Sequence, residues 1–298
     1  MLLSNLGEFG LIERFRKLIK TDRSVIKGSG DDCAVLKLDK DNYQLYTCDM
    51  IVEGVDFTLK DDAYLIGRKA VAISISDIAA FAGIPRHCAV SLAIPKKTKV
   101  KFVDRLFKGM LDIAMAYKIN IVGGDISRAN KLAIDVSMLG VVRKKRVVLR
   151  SGAKAGDIIL VTGRLGGSIS GKHLRFEPRV KEARYLTDNF KVHAMIDISD
   201  GLAQDLAHIA EQSRVGALLY EGLIPQSAQA RGLNDALYSG EDFELLFTLS
   251  RIDAGRLLSK YPGSFKAIGE IVEKRRGLRL VGKTGREKSL KYKGFRHF

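Results

Sequence analysis

The sequence predicts an α/β (α+β) chain made of two mixed domains, and three observations point to it. Segments of helical period and segments of strand-like alternation follow one another through both halves. The 298 residues, 46% of them hydrophobic, suffice for two domains of about 150 residues each with its own core. A basic turn, Arg143-Lys144-Lys145-Arg146, ends one series of elements, and a new strand opens shortly after it. The expected domains are therefore 1–146 and 147–298.

The elements follow in order. Phe9, Ile12, Phe15 and Ile19 recur at helical spacing between basic residues, which predicts an amphipathic helix over 7–20. Strands are expected over 34–38 and 44–48, and Asp61 or Asp62 then caps a long helix that Gly83 and Pro85 close. A strand over 87–94, a helix over 100–117 and strands over 119–122 and 132–142 complete the first half. The second half reads as strands over 157–162 and 194–198, a helix over 202–212, strands near 216–220 and 243–249, a helix over 253–260 and further strands. No internal repeat or low-complexity linker separates the halves, so they should pack tightly.

Composition narrows the function classes. The net charge of +16 would suit an anionic partner, through Lys96-Lys97-Thr98-Lys99, Arg143 to Arg146 or Lys274-Arg275-Arg276. These runs sit at element ends without interleaved aromatics, and there is no Trp, so they read as a solvated, ion-paired surface and no nucleic-acid partner is expected. No apolar stretch approaches the roughly 18 residues of a membrane span, and the opening residues lack a signal-peptide pattern. No membrane partner is expected, and the protein should be cytoplasmic. Cys33, Cys48 and Cys88, odd in number and without CxxC spacing, read as buried small hydrophobes rather than a disulfide or zinc framework.

The chemistry lies in short acidic motifs at element ends: Gly30-Asp31-Asp32, Thr47-Cys48-Asp49, Ser76-Asp77, Gly123-Gly124-Asp125, Asp197-Ile198-Ser199-Asp200-Gly201 and Gly240-Glu241-Asp242. Taken singly, each can be a turn or a helix cap. Six in one chain are hard to assign to turns alone, and carboxylates gathered from separate segments repel one another unless cations lie among them. Mg²⁺, which prefers carboxylate and phosphate oxygens, answers that need. Asp77 is the most telling of them. It sits among Ile73, Ser74, Ala80 and Phe81 on a helix apolar almost all round, where an ionised carboxylate needs a cation or a set of donors. Gly166 to His173 matches the GxxxxGK core of a P-loop, but His173 stands where a Ser or Thr hydroxyl would hold Mg²⁺. A glycine-rich turn packing on its strand is the better reading.

In order and spacing these motifs, with Asp49-Met50-Ile51-Val52-Glu53-Gly54, Ser76-Asp77-Ile78-Ala79-Ala80 and Gly240-Glu241-Asp242-Phe243-Glu244, resemble the thiamine-monophosphate kinase family of the aminoimidazole ribonucleotide synthetase superfamily. The resemblance runs from Gly7-Glu8-Phe9 to the closing Gly294-Phe295. It implies two α/β domains with ATP and several Mg²⁺ ions in the cleft between them, and a homodimer built through the N-terminal domains. It also implies Mg²⁺ ligation by Asp32, Thr47, Cys48, Asp49, Asp77, Asp125, Asp197 and Asp200, with Asp49, Asp125 and Asp200 catalytic. Asp125, Arg150 and Ser199 would meet ATP, and Asp56, Glu241 and Phe295 the thiamine phosphate.

Three positions depart from the family pattern: Cys48 replaces Thr, Asp56 a substrate-contacting His, and Phe295 a Trp. At Cys48 a main-chain ligand would survive the change and a hydroxyl ligand would not. The implied reaction passes the ATP γ-phosphoryl group to the phosphate of thiamine phosphate, which needs alignment and charge neutralisation but no protein nucleophile. Another ATP-dependent member of the superfamily, acting on a different small acceptor, is the nearest alternative; a basic nucleic-acid-binding protein is the alternative from another class.

Overall fold

A computed structural model of the chain describes residues 3–291. Helix α1 (Leu3–Arg16) leads into a six-stranded sheet of β1 (Val25–Lys27), β2 (Ala34–Lys37), β3 (Asn42–Val52), β4 (Ile84–Ile94), β5 (Asn120–Arg128) and β6 (Ala133–Arg143). The spatial order is β1-β2-β3-β6-β4-β5. Only the β4–β5 pair is parallel. Helices α2 (Ala63–Ala80) and α3 (Val100–Ala116) connect its strands.

After β6 the chain builds a seven-stranded sheet from β7 (Ile158–Thr162), β8 (Ala194–Asp197), β9 (Val215–Tyr220), β10 (Leu245–Leu249), β11 (Phe265–Glu273), β12 (Leu278–Val281) and β13 (Glu287–Ser289). Their order is β13-β12-β9-β11-β7-β10-β8. Helices α4 (Lys172–Arg175), α5 (Val180–Asn189), α6 (Leu202–Ser213), α7 (Leu233–Tyr238) and α8 (Arg251–Lys260) complete it. The stretch 144–157, where the expected boundary after Arg146 lies, joins the two sheets.

Helix α2 explains its own composition. It lies against β3, β4 and β6 on one side and against α4, α5 and β8 on the other, so it is apolar all round because it is covered all round. Asp62 caps it, accepting from the Tyr64 N–H. Gly67 and Gly109 let α2 and α3 cross closely: a Cβ at either would lie 1.9 Å from a carbonyl oxygen of the other helix. The core around α2 runs on from Ile78 and Val136 to Leu160, Met195 and Phe247 of the second sheet, so the halves share one apolar interior. The opposite face of the second sheet packs Ile159, Ile196 and Leu246 against Leu202 and Leu206 of α6.

Several expectations need correction. Pro85 does not close a helix; it sits near the start of β4, where a missing N–H is tolerated. The strands expected over 44–48 and 119–122 extend to Asn42–Val52 and Asn120–Arg128. Helix α1 ends at Arg16, before the expected 20, and Ile12, Phe15 and Ile19 stay exposed, so the apolar stripe has no cover within the described chain. Cys33 and Cys88 are buried as expected, but Cys48 is exposed. It belongs to a strand whose alternation turns Leu45, Thr47 and Ile51 inward and leaves Tyr46, Cys48 and Met50 outside.

Candidate active site

Four carboxylates converge where the two sheets meet across α2. Strand alternation directs Asp49 of β3 toward α2, as it does Thr47 and Ile51. The same rule sends Met195 and Asp197 of β8 to the α2 face, while Ala194 and Ile196 turn to α6. Asp77 projects from α2 between them, and Asp32 comes from the turn before β2. Carboxylate oxygens of Asp32, Asp77 and Asp197 all lie within 4.8 Å of one another.

The two serines of α2 divide the work. The Ser74 hydroxyl donates to Asp49 at 2.7 Å and that of Ser76 to Asp197 at 2.5 Å. Thr47 donates to Asp77, and the Arg150 guanidinium to Asp32. Buried oxygens Asp32 Oδ2 and Asp197 Oδ1 have no hydrogen-bond partner among the described residues. An all-oxygen donor set with orphaned, buried carboxylate atoms fits hard divalent cations such as Mg²⁺.

The electrostatics agree with that fit. Burial raises Asp49 to about 6, and burial with the Asp32 charge raises Asp197 to about 8. Asp77 is pushed well up by burial and then by Asp49, Asp197 and Asp32. Asp32 is raised by burial despite the opposing charge of Arg150. Burial disfavours the Arg150 cation, but Asp32 and Asp31 outweigh it.

Asp200 lies beside this group, with its own neighbours. Ligand atoms of Asp200, Asp205 and His208 fall within 4.8 Å of one another, and Asp205 Oδ2 accepts the Asp200 and Gly201 N–H groups at 3.2 and 3.0 Å. Burial and Arg150 lower His208 to about 4, keeping it neutral. The Ser199 carbonyl accepts the Glu241 N–H at 2.7 Å. Gly240 makes that approach possible, since a Cβ there would meet this carbonyl at 2.4 Å.

Asp125 is not in the group. It is exposed on the edge strand β5, three strand spacings from β3, which is roughly 14 Å. Its register partners, Ser91, then Asp135, then Met50, also place it on the sheet face opposite Asp49. Cys48 shares that outer face, and its thiol donates to Asp135 at 3.1 Å. The replacement of Thr by Cys48 therefore takes no side-chain contact from the cluster.

On the acceptor side, Asp56 Oδ2 accepts the Val52 N–H at 2.7 Å across the Gly54 turn. The Glu241 carboxylate meets Lys69 and lies 3.3 Å from His173 Nδ1. Burial favours its neutral form, but His173 and Lys69 lower it on balance, so it remains a carboxylate. Phe295 lies outside the described residues.

The segment 166–173 is a glycine turn. The Gly166 N–H, which a P-loop would offer to phosphate, donates to Asp242, and Lys172 is held by Glu244 at 2.9 Å and by the Arg164 carbonyl at 3.0 Å. Lys172→Ala is accordingly expected to lower stability by about 1 kcal/mol and to leave kcat within about threefold of wild type. A thousandfold loss of kcat in steady-state assay would make Lys172 a phosphate ligand instead.

Sequence reasoning passed over Lys69, His173, Asp205 and His208. Lys69 stands two helical steps of four before Asp77 on the same apolar helix, and Asp205 and His208 share one face of α6. Both spacings were visible signals.

Residues 30–142 match the AIR synthase related protein, N-terminal domain, and residues 154–281 its C-terminal domain. The thiamine-monophosphate kinase of Buchnera aphidicola subsp. Schizaphis graminum is 36% identical, over 98% of this chain and 99% of its own. That of Bacillus subtilis is 34% identical over 98% and 100%. The structure of AaThiL complexed with AMPPCP and TMP superposes with a TM-score of 0.87 at 29% identity, covering 100% of this chain and 99% of that one. With both domains matched and such identity over nearly its full length, the chain belongs to the thiamine-monophosphate kinase family of AIR synthase related proteins.

Proposed function

We propose that the protein transfers the γ-phosphoryl group of ATP to the phosphate of thiamine phosphate, giving thiamine diphosphate and ADP, in the cytoplasm. The observation that carries this reading is the convergence of Asp32, Asp49, Asp77 and Asp197 in a member of a family of kinases. The complex of AaThiL with AMPPCP and TMP supports a nucleotide and an acceptor as the ligands.

Asp32, Asp49, Asp77, Asp197 and Thr47 would hold Mg²⁺, with Asp200, Asp125 and the Cys48 main chain as the remaining ligands. The ions would neutralise phosphate charge and polarise the transferred group. The protein's own residues align and shield. Arg150, held by Asp32, would reach ATP phosphate with a fixed guanidinium, and Ser199 would offer a hydroxyl. Glu241 and Asp56 face the cationic thiamine moiety, where negative charge attracts. A terminal phosphate oxygen is already a competent nucleophile, so the residues need not activate one. The domains 1–146 and 147–298 then form the two walls of the cleft.

A homodimer through the N-terminal sheet belongs to this reading. Strand β5 is an unpaired edge with Val122 66% and Ile126 72% exposed, and Tyr46 and Met50 lie open on the outer face. Beside β5 a groove of about 880 Å³, lined by Val90, Leu92, Val103, Phe107, Leu111 and Ile126, suits an adenine ring. In the dimer, Asp125 and this groove would serve the carboxylate cluster of the partner subunit.

Incubating the protein with ATP, Mg²⁺ and thiamine phosphate should yield thiamine diphosphate by chromatography. Turnover only with another acceptor would overturn the substrate, and no nucleotide turnover with any acceptor would overturn the kinase.

A further inference from the structure

Lys69 has none of its surface exposed and is ion-paired with Glu241, on the helix that supplies Asp77. A buried ammonium is no better for stability than a well-packed apolar side chain, and often worse, so its presence calls for another reason. Its ammonium donates to the Asp56 carbonyl at 2.8 Å and to Oε1 of Glu241, and Nδ1 of His173 stands 3.2 Å away. These partners come from the turn that follows β3, from α4 and from the loop before β10, so one group ties the first half of the chain to two segments of the second.

Two of the three segments bear the acceptor-side residues Asp56 and Glu241. The Glu241 backbone sits in the left-handed region (φ 54°), as does that of Phe243 (φ 50°), conformations that non-glycine residues hold only when surrounding contacts enforce them. Oε1 of Glu241 accepts from Lys69, and Oε2 lies 3.3 Å from Nδ1 of His173. Lys69 offsets part of the Glu241 charge, so the oriented carboxylate can still face the thiamine cation while repelling the substrate's phosphate less.

We propose that Lys69 is the positioning residue of the acceptor half-site, fixing the Glu241 carboxylate and the Asp56 turn at one separation across the interface between the two halves. His173 Nδ1 lies within 3.3 Å of both the ammonium and Oε2 of Glu241, so the imidazole packs against the pair. The assignment rests on the proposed function, because it concerns where thiamine phosphate is held.

The test is steady-state kinetics with both substrates varied. Lys69→Gln should raise KM for thiamine phosphate by about tenfold, the size of one lost charged hydrogen bond, while KM for ATP stays within about twofold. In a Glu241→Gln background the same change should add less than about twofold, since Lys69 acts through that carboxylate. Equal rises in both KM values, or full additivity in the double variant, would make Lys69 a purely structural pin and overturn the proposal. If Lys69→Gln does not fold, His173→Asn, which leaves the ammonium in place, should still raise KM for thiamine phosphate selectively; an unchanged KM there overturns it equally. A wild-type protein that forms no thiamine diphosphate would sink the functional reading instead, before any variant is compared.

Discussion

Asp77→Asn is expected to lower kcat by about a thousandfold, some 4 kcal/mol of transition-state stabilisation, while raising the melting temperature of the metal-free protein. Both effects have one cause. Asp77 is enclosed with Asp32, Asp49 and Asp197, and without a cation their negative charges face one another in a buried site. The amide keeps an oxygen for the Thr47 hydroxyl and removes one charge. Folded-state values above the ordinary 3.8 mean that the folded state holds protons longer than the unfolded chain. Stability from this cluster is therefore present at low pH and declines as pH rises, through about 6 for Asp49 and about 8 for Asp197. The gain from Asp77→Asn should be largest near pH 8 and fade toward pH 5. Saturating Mg²⁺ should do the reverse, raising the wild-type melting temperature at pH 8 by about 5 °C if it binds at a hundred times its Kd, and raising that of the variant far less. Thermal melts with and without Mg²⁺, beside turnover per folded molecule, decide it. A variant that melts lower yet turns over normally would make Asp77 a structural residue.

That double effect shows why so much of the site was legible in the sequence. A carboxylate on a helix without a polar face is a local contradiction, and Asp77 was conspicuous for that reason. Asp49 and Asp197 could be read because strand alternation fixes their facing once the strands are placed. What stayed hidden depends on pairing between distant segments. The thiol of Cys48 points away from Asp49 by the same alternation, but which face of β3 is covered depends on α2, eleven residues beyond the strand's end. Gly123-Gly124 gave no alternating pattern, so β5 read as a short strand ending where its exposed edge in fact continues to Arg128. Lys69 stands out on the same apolar helix as Asp77, but which segments it joins shows only once they close over it. The six-residue helix α7 lacked enough turns for periodicity to show.

Asp125 poses the remaining question, since it is exposed roughly 14 Å from Asp49 by strand count, on the other face of the same sheet. If it serves the cluster of a second copy, two inactive variants should repair each other. Asp125→Asn keeps its own cluster and loses the residue it lends; Asp77→Asn loses its cluster and still lends Asp125. A heterodimer of the two contains one site with both defects and one with neither, so it should recover about half the activity of the wild-type dimer. Each homodimer alone should remain near a thousandfold below wild type. The two chains can be co-expressed with different tags and the mixed species isolated by sequential affinity steps, then assayed for thiamine diphosphate formation. Activity no higher than either parent, in a heterodimer confirmed by mass, would mean that Asp125 acts within its own chain and must move to reach the cluster, because every site in that heterodimer would then carry a defect.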